Sequence, residues 1–171
     1  MYSAEPATPH RTLAHVGITV PDLDLAVRWY SHVIGFDVMV PAHSIVRDEG
    51  HPGRVAADVL GPEFGALRQA HLVGANGAGL ELFEFVEPPV GRLESSRPYW
   101  STGPWHVCIV DPDVEATAEA IRRSGGDRTS RVWRLFDDEP YEMTYCEDPF
   151  GNIVEIYSHS YERIYSNRVI A

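Results

Sequence analysis

Apolar and polar residues alternate between positions 15 and 20, which is the pattern of a β-strand with one buried face. The apolar face carries Val16, Ile18 and Val20, and the opposite face begins with His15. The pattern therefore predicts a strand whose histidine points away from the hydrophobic core.

The same pattern returns in the second half of the chain. In both places a histidine, His15 or His106, begins a short β-branched segment and is followed six and seven residues later by Pro-Asp. Val107 and Ile109 form the apolar face of the second segment. An internal repeat of this kind indicates a fold built from two copies of one unit.

A helix should follow each of these strands. Pro21 and Pro112 cannot continue a sheet ladder, and the acidic residues after them are favoured near the positive end of a helix. Glycine signals predict that the first helix ends near Gly35 and the second at Gly125-Gly126.

Each half closes with another alternating segment, at 79–83 and at 153–157. The apolar face of these two segments carries Leu80, Leu82, Val154 and Ile156. Glu81 and Glu155 fall on the other face, which is the face of the two histidines. Each half thus places one imidazole and one carboxylate on the side of its sheet turned away from its helix.

The remaining pattern completes two βαβββ modules. Additional strands are predicted at 36–40, 55–60, 67–73, 132–136 and 142–146. Segment 41–53 is predicted to be a loop or lid, because it is rich in Pro, Gly and charge. The predicted fold class is α+β, with two βαβββ modules forming a cupped mixed sheet and helices on the outer face. The boundaries are a tail at 1–11, a first module at 12–90, a connector at 91–104, a second module at 105–160 and a tail at 161–171.

Charge and composition narrow the classes of partner. Fourteen Lys and Arg against 25 Asp and Glu give a formal net charge of −11, and no segment clusters basic residues with aromatics. We therefore expect neither a nucleic acid nor a membrane as partner. No apolar segment approaches the roughly 18 residues that cross a bilayer, and the N-terminus lacks the pattern of a secretory signal. These features predict a cytoplasmic protein.

The repeated His and Glu pairs predict a metal site. If the two modules pair about an approximate two-fold axis, His15, Glu81, His106 and Glu155 meet at the centre of the cup. Imidazole and carboxylate together suit one divalent ion, Zn, Ni, Co, Mn or Fe, whose identity stays open. Two carboxylates buried without a cation would each cost several kcal/mol. Whether the four ligands come from one chain or from two is also open.

These motifs resemble the vicinal oxygen chelate superfamily, which contains glyoxalases, bleomycin-resistance proteins and extradiol dioxygenases. The similarity lies in the two His segments before Pro-Asp, the Leu80-Glu81-Leu82 strand and the segment from Asp148 to Glu155. The resemblance implies paired βαβββ modules, a homodimer, and metal ligands at the four positions named above. The complete ligand set resembles glyoxalase I-like and methylmalonyl-CoA epimerase-like members most.

The resemblance further implies a metal-dependent glyoxalase-type lyase or isomerase that moves a proton on a small oxygen-chelating substrate. Glu155 is the first choice for the base and Glu81 the second. Candidate substrate-binding residues are Phe83, Phe85, Arg134, Tyr141 and Tyr157.

Two alternatives remain open at this point. One is an Fe(II)-dependent extradiol-type dioxygenase in which Glu81 is not a ligand. The other is a non-catalytic protein that binds a drug or metabolite, like bleomycin-resistance proteins. The remaining histidines, His71 among them, have no repeat partner and are predicted to lie on the surface or in loops. The tail from 158 is longer than the repeat needs, and we expect it to contact a partner subunit.

Overall fold

The computed structural model describes residues 11–91, 100 and 102–166, and it confirms an α+β fold with two modules. The first module contains, in chain order, β1 (His15–Thr19), α1 (Leu23–Trp29) extended by a π-helical turn (Tyr30–Ile34), β2 (Asp37–Val46), α2 (His51–Leu60), β3 (Ala66–Val73) and β4 (Gly79–Glu87). The second contains β5 (Val107–Val110), α3 (Val114–Arg123), β6 (Asp127–Arg128), β7 (Trp133–Arg134), β8 (Glu142–Glu147) and β9 (Ile153–Tyr157), followed by the short helix α4 (Tyr161–Tyr165).

The strands form two mixed sheets of matching topology. The first has the order β1-β4-β3-β2, and the second has the order β5-β9-β8-β6, with β7 also paired to β8. In each module the first strand runs parallel to the last, β1 to β4 and β5 to β9, while the other pairs are antiparallel. The helix between first and second strands makes that parallel return possible.

Both predicted helix starts and stops are confirmed. The Asp22 carboxylate accepts a hydrogen bond from the Leu25 backbone N–H at 2.9 Å, and Asp113 accepts one from Ala116 at 3.0 Å. Both are N-caps that satisfy an otherwise unpaired donor of the first turn. The first helical segment ends at Gly35, whose φ of 84° lies in the left-handed region that favours glycine.

The strand predicted at 55–60 is wrong, because this segment belongs to helix α2. Its valines suggested a strand, but Pro52 stands in the first turn, two alanines follow, and Gly61 ends the helix with a φ of 87°. The loop predicted at 41–53 is also mostly wrong. Strand β2 continues to Val46 through irregular register shifts, and α2 begins at 51. Of the strand predicted at 132–136, only β7 forms.

One hydrophobic core joins the two modules. Its buried residues come from α1, β3 and β4 of the first module and from α3, β8 and β9 of the second. Trp29 and Tyr30 cross the boundary, since the Trp29 indole N–H donates to the Ser124 carbonyl at 3.0 Å and the Tyr30 hydroxyl donates to Asp148 at 2.7 Å. The helix-bearing faces of both sheets therefore point inwards, and the opposite faces point away from this core.

The described part of the C-terminal tail packs on its own chain, and its expected contact with a partner subunit stays a prediction. Ile164 in α4 is only 1% exposed and packs in a cluster with Tyr141 and Tyr157 of its own chain. Residues 1–10, 92–99, 101 and 167–171, which include most of the N-terminal tail and of the connector, lie outside the described residues. Within the described residues, no helix has the length and apolar character that a bilayer crossing requires.

The hydrogen bond between Tyr30 and Asp148 gives a test of the shared core. Tyr30→Phe removes only the hydroxyl, leaving the buried Asp148 carboxylate with one donor fewer. We expect the free energy of unfolding to fall by about 1.5–3 kcal/mol, the usual contribution of a hydrogen bond to a charged group. Urea unfolding measures it, with Tyr161→Phe as control because Tyr161 is 71% exposed. Equal unfolding midpoints for Tyr30→Phe and the control would contradict this role.

Candidate metal centre

The first His and Glu pair lies on the exposed face of the first sheet. His15 begins β1 and Glu81 lies in the neighbouring strand β4, where the buried Leu80 and Leu82 point to the other face. The His15 Nε2 atom is 3.5 Å from the Glu81 carboxylate. The His15 side chain is 52% exposed and that of Glu81 is 23% exposed, so the pair is open to solvent.

The second pair repeats this arrangement in a more buried setting. His106 directly precedes β5, and its Nε2 atom is 3.1 Å from the carboxylate of Glu155 in β9. Glu155 is only 3% exposed. Because a buried carboxylate needs compensation by a hydrogen bond or a positive charge, this pair is the stronger candidate for a functional centre.

The two pairs do not meet within one chain. Both lie on sheet faces that point away from the shared core, so packing the helices together separates them. In the part of the chain that the structure describes, no group of three or more His, Cys, Asp or Glu side chains is arranged to hold a metal ion. The chain therefore presents two half-sites on opposite sides, rather than four side chains around one point.

Two further side chains contact Glu155. Cys108 lies opposite Glu155 on β5, and Tyr145 lies opposite it on β8. Desolvation by partial burial, followed by the charge and hydrogen bonding of Glu155, raises the pKa of the Cys108 thiol. Desolvation and a hydrogen bond to Glu155 likewise raise the pKa of the Tyr145 phenol. At neutral pH both groups are therefore neutral and can donate to the carboxylate.

His71 is a site residue that the sequence analysis missed. It lies opposite Glu81 on β3, with its Nδ1 atom 3.3 Å from the Glu81 carboxylate. The turn at 74–78 could have revealed it, because antiparallel pairing around that turn places residues 71 and 81 opposite each other. The His71 ring stacks on His43 with centroids 6.1 Å apart. Two imidazoles thus lie beside the first carboxylate, and a third, that of His43, stacks on one of them.

The predicted substrate-binding residues divide between the two sheet faces. Phe83 and Phe85 lie on the face of Glu81, with ring centroids 6.4 Å apart, and Phe83 packs against Gly17, where a Cβ atom would meet its ring at 3.1 Å. Arg134 is exposed and lies opposite Glu142, on the face away from Glu155.

The two predicted tyrosines of the second module pack with the tail. Tyr157 shares the face of Glu155, and its hydroxyl is 3.1 Å from that of Tyr165. Tyr141 is 8% exposed and belongs to the same cluster, so both rings help to seat α4. The hydroxyls of Tyr157 and Tyr165 are the polar groups of this aromatic cluster.

Sequence comparison finds relatives over most of the chain. The family model described as Glyoxalase/Bleomycin resistance protein/Dioxygenase superfamily matches residues 12–156. A 2-epi-5-epi-valiolone epimerase from Actinomyces sp. is 32% identical over 146 residues, which cover 83% of this chain and 76% of that protein.

Solved structures share the fold at lower sequence identity. A glyoxalase family protein from Bacillus cereus superposes with a TM-score of 0.71 at 20% identity, covering 90% of this chain and 97% of the other. Glyoxalase I from Zea mays superposes with a TM-score of 0.57 at 20% identity, covering 86% of this chain but only 44% of the maize chain. These structural similarities establish the fold but not the reaction.

The raised pKa of Cys108 predicts how this thiol reacts. Since only the thiolate is alkylated, the rate should still be rising well above about pH 8.5, where an ordinary thiol is half ionised. Glu155→Gln removes the neighbouring negative charge, which should lower the thiol pKa and speed alkylation at pH 8 several-fold. Mass spectrometry of the iodoacetamide-labelled Cys108 peptide measures the rate.

The matched control is Glu142→Gln, an exposed carboxylate on the other face of the same sheet. Cys146 is fully buried and serves as an unreactive internal reference. The electrostatic assignment is wrong if Cys108 in Glu155→Gln reacts no faster than in the control.

Proposed function

The chain belongs to the Glyoxalase/Bleomycin resistance protein/Dioxygenase superfamily, and from this premise we propose that it is a metal-dependent isomerase that moves a proton on a small carbonyl compound. The observation that carries the proposal is the repeated His and Glu pair, present at equivalent strand positions in both modules. The Actinomyces relative is an epimerase, and this favours proton transfer over oxygen insertion or simple binding.

The donor atoms fit a divalent ion. Each pair offers an imidazole Nε2 and a carboxylate oxygen, which are separated by 3.5 Å for His15 and Glu81 and by 3.1 Å for His106 and Glu155. Two ligands with bonds of about 2.0–2.2 Å to one ion can lie no more than about 4.4 Å apart. Both separations satisfy this limit, so each pair can bind one ion without a change of backbone.

A complete site requires two chains in this proposal. The half-sites of one chain diverge because the core lies between them. A two-fold axis between copies can bring the first half-site of one chain against the second half-site of its partner, and it then forms two equivalent sites per dimer. In this proposal the homodimer completes the ligand set that a single chain leaves incomplete.

Mixing two defective chains tests the shared site. His15→Ala disables the first half-site and His106→Ala the second, so either homodimer should lose metal. In a random mixture half of the dimers are heterodimers, and each has one site made of intact halves, so about one quarter of the wild-type sites should reappear. Metal content per chain after dialysis of co-expressed protein measures this recovery.

The control mixture pairs His15→Ala with Glu81→Ala. Both changes lie in the first half-site, so no heterodimer contains an intact site and metal should not reappear. If the first mixture recovers no more metal than this control, the site is not shared between chains. Circular dichroism of each variant checks that the fold is unchanged.

The proposed proton transfer assigns a separate role to each of the two carboxylates. When bound, a divalent ion would act as a Lewis acid toward a substrate oxygen, which makes the adjacent C–H more acidic. Glu155 is the proposed base, since it is buried at the centre of its half-site beside His106. Epimerisation also needs a proton on the opposite face, and the proposed donor is Glu81 of the facing half-site, which would have to be detached from the ion and protonated to act. The proton that Glu155 removes then returns to solvent.

The substrate is proposed to be a hydroxylated ketone. The relative's name specifies 2-epi-5-epi-valiolone, which makes this compound the first probe to test. The tyrosine hydroxyls beside Glu155 offer hydrogen bonds to substrate hydroxyls, and the neighbouring rings offer apolar contact. Oxygen consumption with a catechol would instead indicate a dioxygenase.

Replacement of each carboxylate by its amide separates the two proposed roles. With 2-epi-5-epi-valiolone in deuterated water, Glu155→Gln should lose both epimerisation and deuterium exchange, by about 10²- to 10⁴-fold. Glu81→Gln should lose epimerisation but keep exchange into the unconverted substrate, because the base remains. Proton NMR measures both rates in metal-loaded protein, with Glu142→Gln as control. A Glu155→Gln protein with full metal and the wild-type rate would contradict the base assignment.

A further inference from the structure

Each of the two carboxylates has a polar side chain opposite it on the neighbouring antiparallel strand. On the antiparallel neighbour strand, His71 stands opposite Glu81 and Tyr145 stands opposite Glu155. Residues directly opposite each other in an antiparallel pair share a face, with Cβ atoms about 4.5–5.5 Å apart. The repeat therefore supplies not only a histidine and a glutamate in each half, but also a third polar side chain at a fixed register.

In the first module the two carboxylate oxygens have different partners. One Glu81 oxygen is 3.5 Å from His15 Nε2, and the other is 3.3 Å from His71 Nδ1. The His71 ring is itself held by stacking on His43, with an interplanar angle of 12°. An imidazole thus lies beside each oxygen of Glu81, and this limits the orientations open to the carboxylate.

The second module provides the same restraint with a different group. Glu155 faces His106 at 3.1 Å, and Tyr145 stands opposite Glu155 on β8, close enough for the carboxylate to raise the pKa of its phenol after desolvation. The Tyr145 ring is fixed on two sides, because it meets the His106 ring edge-on at 5.8 Å and lies 5.4 Å from the Trp105 ring. Packing thus holds the Tyr145 ring in place on the same sheet face as the carboxylate.

We infer that His71 and Tyr145 are matched positioning residues, each of which orients the carboxylate opposite it for metal binding without being a ligand itself. The inference rests on the proposed metal-dependent function. Its physical basis is that a ligand fixed in advance loses less conformational freedom when the ion binds. Removal of an outer partner of a metal ligand typically weakens metal binding or activity by 10- to 100-fold.

The test is the affinity of the full-length protein for Zn²⁺, measured by competition with a chromophoric chelator, so it needs no substrate. Tyr145→Phe and His71→Phe should each raise the Zn²⁺ dissociation constant about 10- to 100-fold. His71→Asn keeps an N–H donor close to the position of Nδ1 and should restore most of the affinity. Tyr161→Phe, in an exposed tyrosine of α4, should match wild type.

Each outcome bears on the inference. Wild-type affinity in both Tyr145→Phe and His71→Phe overturns it while leaving the proposed function intact. A loss in His71→Phe as complete as that in His15→Ala, without rescue by asparagine, also overturns it, because His71 would then be a ligand. A wild-type protein that binds no Zn²⁺, Co²⁺ or Ni²⁺ overturns the proposed function and this inference together. Graded weakening with rescue by His71→Asn supports it.

Discussion

The shared hydrophobic core is the constraint on which the rest of the structure depends. Leu80 and Leu82 flank Glu81 in sequence, and Ile156 directly follows Glu155. These three apolar residues are almost fully buried against the helices, so the two glutamates must face the other way. This alternation places Glu81 and Glu155 on the free faces of their sheets. The core thereby fixes the positions of the polar groups without touching them, and loss of packing would disturb both half-sites at once.

The same core explains why the chain presents two half-sites instead of one site. Trp29 and Tyr30 form hydrogen bonds across the module boundary, to Ser124 and Asp148. These bonds help to hold the helices at the centre, between the two sheets. The faces that carry His15 and His106 are consequently directed outwards. In the proposed dimer a second copy supplies the other ligands, so metal content would measure assembly of the dimer.

The half-sites are alike in ligands and unlike in surroundings. The first is exposed and rich in imidazole, with His71 stacked on His43, whereas the second is buried and has Tyr145 and Cys108 around its carboxylate. A site assembled from one half of each kind is asymmetric even though its ligands are symmetric. Such asymmetry suits the proposed epimerase, in which one carboxylate removes a proton and the other supplies one from the opposite face.

The sequence by itself determined the repeat, the helix starts at the two Pro-Asp segments and the faces of the two His and Glu pairs, because these depend on local periodicity and on local helix-start signals. It misassigned 55–60, where valines outweighed the helix signals of Pro52 and Gly61. Only the tertiary structure decided that the pairs diverge, that His71 and Tyr145 stand opposite the carboxylates, and that Ile164 packs on its own chain. Those relations depend on strand register and on packing between distant segments, which no local pattern specifies.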